Sequence, residues 1–142
     1  MSMFGMFKSQ SAALDLTPRT CLAVSLIYCM AADGEMDEEE VGHLLSALGR
    51  GMTRQGLDAA LRYAQATKPE QFLADATPRL RPEQRLCILL NMIDNAMSDG
   101  EAEQGEQDLV RRFAEAWGLS EEALAPHFRT LVAKNQRSVL DA

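Results

Sequence analysis

Residues 17–40 read TPRTCLAVSLIYCMAADGEMDEEE, and this stretch decides the fold. Thr17 before Pro18 is an N-cap followed by a first-position proline, because the threonine oxygen can accept from a free helical N–H and proline lacks the N–H that would go unpaired there. The helix so opened should run to about Asp33, with Gly34 as its stop. Leu22, Val24, Leu26, Ile27, Tyr28 and Met30 make it apolar on nearly every side, which suits a central, buried element. The acids that follow suit the first turn of a second helix, where the backbone dipole favours negative charge.

Sliding the chain by 66 residues lays 19–40 over 85–106 without a gap. Arg19, Cys21, Ile27, Asp33, Gly34, Glu35 and Glu40 face Arg85, Cys87, Ile93, Asp99, Gly100, Glu101 and Glu106. Asp37 faces another acid, Glu103. Both copies follow one plan: an apolar helix, an Asp-Gly-Glu corner, then a second helix with acids in its first turn. An internal duplication is the reading.

The remaining chain supports an all-α fold. Leu and Ala supply 39 residues against 8 for Val and Ile, and β-branched residues lose more rotamer freedom in a helix. A helix from Asp37 carries Val41, Leu44, Leu45 and Leu48 to the Gly49-Arg50-Gly51 breaker. Another spans Thr53 to about Thr67, and Pro69 opens a short one around Phe72 and Leu73. Pro82 opens one that runs to about Asp99. From Glu103 a helix carries Leu109, Val110, Phe113, Ala114 and Trp117, and Ser120 caps the last helix, which Pro126 should bend or split. The expectation is a compact bundle of about seven helices in two related halves: a leader over 1–16, the domain over 17–134 and a tail over 135–142.

At 142 residues and 46% hydrophobic content the chain suits one domain with a real core. The 12-residue apolar window Cys21–Ala32 is too short to cross a bilayer. No secretory signal is legible, so the cytoplasm is the expected compartment. Cys21, Cys29 and Cys87 lie in apolar stretches without metal-pair spacing and are expected to be reduced core residues. A net charge of -7 removes the footprint of a nucleic-acid binder and favours cations or basic protein surfaces. Met1, Met3, Phe4, Met6 and Phe7 form an apolar leader that reads as a loosely docked terminus.

Residues 33–40 and 94–108 each hold six acids, 12 of the 21 in the chain. Carboxylates about 6 Å apart repel by roughly 0.7 kcal/mol per pair even in bulk water, which favours a bound cation. Asp33, Glu35, Asp37 and Glu40, with Asp99, Glu101, Glu103 and Glu106, are the candidate ligands. Hard oxygens suit calcium, magnesium or manganese. The competing reading needs no ion: Asp37 with Glu40 fits a capping box, and first-turn acids satisfy the dipole. The spacing is not that of an EF-hand loop, whose glycine falls at position six. Glu40-Val41-Gly42-His43 has the Glu-x-x-His spacing of di-metal bundles, but the counterpart of His43 is Leu109, so His43 is read as a helix-surface residue. His127 has no acid or cysteine at ligand spacing. With no phosphate loop, nucleophile elbow or Cys/His signature, the chain is read as non-enzymatic and free of organic cofactors.

The segments AADGEMDEEE, MSDGEAEQGE and AWGLSEEAL, in that order after apolar helices, resemble the TerB-like tellurite-resistance domain over residues 17–134. The resemblance implies an all-helical domain of two related halves in bacterial stress-response systems, also found attached to membrane-associated co-chaperones. It further implies a metal-binding role for the acids of both corners. Glu103 stands where the first corner has Asp37, and Gly105 loosens the start of the following helix. Tellurite is an oxyanion that an acidic surface repels, so direct capture is not expected. The expected function is divalent-cation binding in a stress-response complex with a protein partner at the inner face of the membrane. The alternative is a metal-independent interaction module or co-chaperone-like adaptor. Parallel packing of the repeated helices would bring the corners together, whereas antiparallel packing would separate them by roughly 20 Å.

Overall fold

Thr17 opens the first helix as its sequence dictates: its Oγ1 accepts from the Thr20 N–H at 3.2 Å, and Pro18 follows at the first helical position. The structure is a computed structural model that describes residues 14–32, 36–98 and 104–141. Seven α-helices occur among the described residues: α1 Pro18–Met30, α2 Glu38–Leu48, α3 Arg54–Ala66, α4 Pro69–Ala76, α5 Pro82–Ser98, α6 Gln104–Ala116 and α7 Glu121–Asn135. Short 3-10 turns, Thr77–Arg79 and Arg137–Asp141, precede α5 and follow α7. Gly34 and Gly100, the expected stops of α1 and α5, lie outside the described residues, as do residues 1–13 of the leader, while Leu16 at its end is buried in the core.

Local chemistry sets the boundaries. Asp37, Thr53 and Ser120 each accept from the backbone N–H three residues on, satisfying a donor that the first turn leaves unpaired. Gly49 ends α2 at φ 64°, a backbone conformation that side chains disfavour. Pro126 does not split α7, which continues through it from Glu121 to Asn135. It removes one backbone donor at an exposed position, and α7 packs against α5.

The central helix is α1, with Cys21, Ala23, Val24, Ser25, Leu26, Ile27 and Cys29 all buried and α3, α5 and α6 packed around it. The buried Ser25 hydroxyl is satisfied by the Cys21 carbonyl at 2.7 Å. Phe72 of α4, fully buried, seals the core with ring centroids 5.8 Å from Tyr28, 6.2 Å from Tyr63 and 6.0 Å from Phe113. Trp117 stacks edge-on to Phe113 at 5.4 Å and donates from Nε1 to Thr77 Oγ1 at 2.9 Å.

One cysteine departs from expectation. Cys21 and Cys29 are buried, but Cys87 is exposed on the outer face of α5. A helix that packs against α1, α6 and α7 still turns one side to solvent, and Cys87 shares that side with Asn91 one turn on, also exposed.

Direction matters most for function. Asp15, just before α1, pairs with Arg79, just before α5, at 2.9 Å. At the other end of α1, Cys29 lies within the electrostatic reach of Glu106, eight residues after α5 ends. The two repeated helices therefore run parallel, with their C-terminal ends at one end of the bundle. The Trp117–Thr77 bond turns α6 back antiparallel to α5. At the far end of α7, Lys134 and Asn135 reach Asp94 at 3.0 and 2.7 Å, so α7 runs in the direction of α5.

Candidate functional site

Each acidic corner leads into a helix start, and the first is built as a cap. Asp37 Oδ1 accepts from the Glu40 N–H at 2.8 Å, and Glu40 Oε1 accepts from the Asp37 N–H at 3.3 Å. This reciprocal pair is the capping box expected from the spacing, and it engages one oxygen of each carboxylate. Asp37 Oδ2 and Glu40 Oε2 lie outside it. Glu38 reaches Arg54 at 3.3 Å and Glu39 reaches His43 at 3.9 Å, both between exposed groups. His43 is thus a helix-surface residue. His127 is half-buried on α7.

The second helix start is different. Glu106 is buried, at 6% exposure, with Oε2 sealed from solvent. Its carboxylate bears on Cys29, whose thiol is pushed up to about 12 by burial and, in addition, by that negative charge. The gapless 66-residue alignment pairs Glu106 with Glu40, but burial tells otherwise. In α2 the inward residues are Val41, Leu44 and Leu48, whereas in α6 they are Glu106, Leu109 and Phe113, with Ala114 beside Phe113. The inward face of α6 therefore comes one residue early relative to α2, and Glu106 occupies the place that Val41 fills in the first half. Gly105 precedes it where Glu40 would fall on the shifted register. An early inward face in the run Glu106, Leu109, Val110, Phe113 carries the signal that could have shown this from sequence.

Asp33, Glu35, Asp99, Glu101 and Glu103 lie outside the described residues. Among the described residues no group of three or more His, Cys, Asp or Glu side chains is arranged to hold a metal ion. The described donors fit a hard divalent cation in kind, being carboxylate oxygens at the end of the bundle where α1 and α5 both finish.

Charge elsewhere is balanced in pairs. Arg54 bridges Glu38 and Asp58, and Arg112 of α6 pairs with Glu70 of α4. Burial alone would raise the Asp94 carboxyl. Hydrogen bonds from Asn135 and Lys134, with the positive charge of Lys134 and Arg137, hold it below the usual carboxylate range. No described helix is long and apolar enough to cross a membrane.

Comparison with known proteins finds no match among curated proteins or solved structures. The family described as tellurite resistance protein TerB matches residues 19–127, which takes in α1 to α6, both acidic corners and the start of α7. A match over well over half of the chain, on an all-helical architecture of the expected kind, means that the protein belongs to the TerB family.

Proposed function

We propose that this TerB-family protein is a non-enzymatic stress-response component that binds divalent cations with its two acidic corners, working with a protein partner at the inner face of the membrane. Its ligands are Asp33, Glu35, Asp37 and Glu40 from the first corner and Asp99, Glu101, Glu103 and Glu106 from the second. The observation that supports this reading is the parallel packing of α1 and α5, whose described C-terminal ends, Met30 and Ser98, lie at one end of the bundle. Like charges gathered at one end repel, and a calcium, magnesium or manganese ion relieves that repulsion. Glu106 adds a carboxylate in a low-dielectric setting, where a neighbouring cation is worth more than in water. The ion would neutralise the acids and fix the two helix starts relative to each other. Tellurite itself, an anion, would be repelled by this end.

Calorimetric titration with calcium, magnesium and manganese, repeated on Asp33→Asn and Asp99→Asn, tests the reading. Heat of binding that each variant weakens supports it. Heats equal to the dilution blank for all three ions refute it.

The capping box supports a second reading, a metal-independent interaction module or co-chaperone-like adaptor. Asp37 and Glu40 are already useful to α2 without an ion. In that case the acids meet Lys or Arg of the partner, and affinity falls with salt and is indifferent to chelator.

A further inference from the structure

Leu131 is the last residue of α7 that packs against the core. Over the described residues that follow, 132–141, Asn135 is half-buried and all the others are exposed. Three groups of this segment converge on one carboxylate. Lys134 Nζ donates to both oxygens of Asp94, at 3.0 and 3.2 Å, and Asn135 Nδ2 donates to Oδ1 at 2.7 Å. Asn135 is seated by a second bond, from Nδ2 to the Leu131 carbonyl at 2.9 Å. Arg137, in the 3-10 turn after α7, adds its positive charge to the same carboxyl. Asp94 opens the run of acids over 94–108 and lies about 6 Å of helix rise before the described end of α5 at Ser98. Because α7 runs in the direction of α5, Lys134 and Arg137 stand at the end of the bundle proposed to take a cation. The Asp94 side chain is 30% exposed and that of Lys134 56%, so water and ions reach the pair. An ammonium shared by both oxygens of a carboxylate takes the position that a bidentate divalent ion would take.

We propose that the end of α7 is an autoinhibitory latch: Lys134, Asn135 and Arg137 occupy Asp94 as a built-in counter-charge, and a divalent cation entering this end of the bundle takes Asp94 from them and releases residues 132–141. Ion and latch compete for one carboxylate. The linkage is reciprocal, so whatever opens the latch tightens ion binding by the same factor. A solvent-screened ion pair is weak, and the ion displaces it with a loss of only a few-fold in affinity. Leu124 and Leu131 stay packed against the core, so opening frees the last turn of α7 and the 3-10 turn and leaves the rest of the helix in place. A purely structural tie between α7 and α5 would supply stability with no dependence on ions. This inference rests on the cation-binding reading above and adds Asp94 to the acids that the ion meets.

Hydrogen exchange over residues 132–141, read by mass spectrometry with and without manganese, and calorimetric manganese titration test it on the whole protein at one salt concentration. Manganese is expected to speed exchange of this segment in the parent protein. Lys134→Gln with Arg137→Gln should exchange the segment fast without the ion and bind manganese about 3-fold more tightly. Arg79→Gln with Arg81→Gln, an equal change of charge before the start of α5, should leave manganese affinity unchanged. Manganese that binds the parent protein while exchange over 132–141 stays the same overturns the latch and leaves the cation-binding reading standing. Affinity unmoved by Lys134→Gln with Arg137→Gln, or raised equally by Arg79→Gln with Arg81→Gln, also overturns it. Heats equal to the dilution blank in both the parent protein and the latch variant remove the cation-binding reading and the latch together.

Discussion

Asp37 carries two roles that substitution separates. Its Oδ1 caps α2 through the 2.8 Å bond to the Glu40 N–H, and its charge belongs to the proposed ion site. Alanine removes the cap and, with it, the geometry of the return bond from the Asp37 N–H to Glu40, at a cost of about 1 kcal/mol. For a domain of 142 residues this lowers the melting temperature by about 3 °C. Asparagine keeps an oxygen at the same place and caps as well as aspartate. It forfeits a charge–dipole contribution of roughly 0.3–1 kcal/mol, but Glu38, Glu39 and Glu40 crowd the same turn, so relief of repulsion offsets much of that loss. Asp37→Asn should therefore melt within about 1 °C of the parent protein, yet weaken manganese binding as Asp37→Ala does. Differential scanning calorimetry and manganese titration on the two variants separate the roles. Equal destabilisation by Asn and Ala would refute the capping argument, and undiminished manganese binding in Asp37→Asn would remove Asp37 from the ion site.

Phe72→Ala empties the fully buried junction of Tyr28, Tyr63 and Phe113, and should cost about 3–5 kcal/mol in urea unfolding; a loss under 1 kcal/mol would mean that the core refills the space. Thiol labelling at neutral pH should modify Cys87 at once and leave Cys21 and Cys29 protected until the protein unfolds, because burial pushes those thiols up to about 11 and about 12. Asp94→Asn should lower stability at neutral pH by less than about 1 kcal/mol, since the ion pair it breaks is solvent-screened. Asp94 titrates lower in the folded state than unfolded, so its contribution is fully present above the ordinary carboxylate range and is lost as pH falls through its depressed value. The urea midpoints of parent and variant should converge in acid, and a gap that persists there would contradict this assignment.

The helices were legible because caps and stops are local chemistry: Thr17-Pro18, Asp37 with Glu40, Thr53, Ser120 and Gly49 each act within one turn. The burial of α1 was legible from its lack of a polar face. Whether Pro126 bends or splits α7 was not, since a proline rule is local and α7 also packs against α5. Cys87 misled because an apolar neighbourhood in sequence is not a face in space, and its repeat partner Cys21 occupies an inward position. Glu106 was legible as an acid in a repeated motif and illegible as a buried one, since matching letters concealed the early inward face of α6. The parallel course of α1 and α5 depends on long-range contacts such as Asp15 with Arg79, 64 residues apart, which no local pattern encodes.

The central claim is that both acidic corners serve one cation-binding end of the bundle, and a crystal soaked in manganese and read by anomalous scattering tests it most directly. The account predicts a manganese peak where α1 and α5 both end, coordinated by carboxylates of the two corners. A map without such a peak, or with manganese only on isolated surface acids elsewhere, would contradict it.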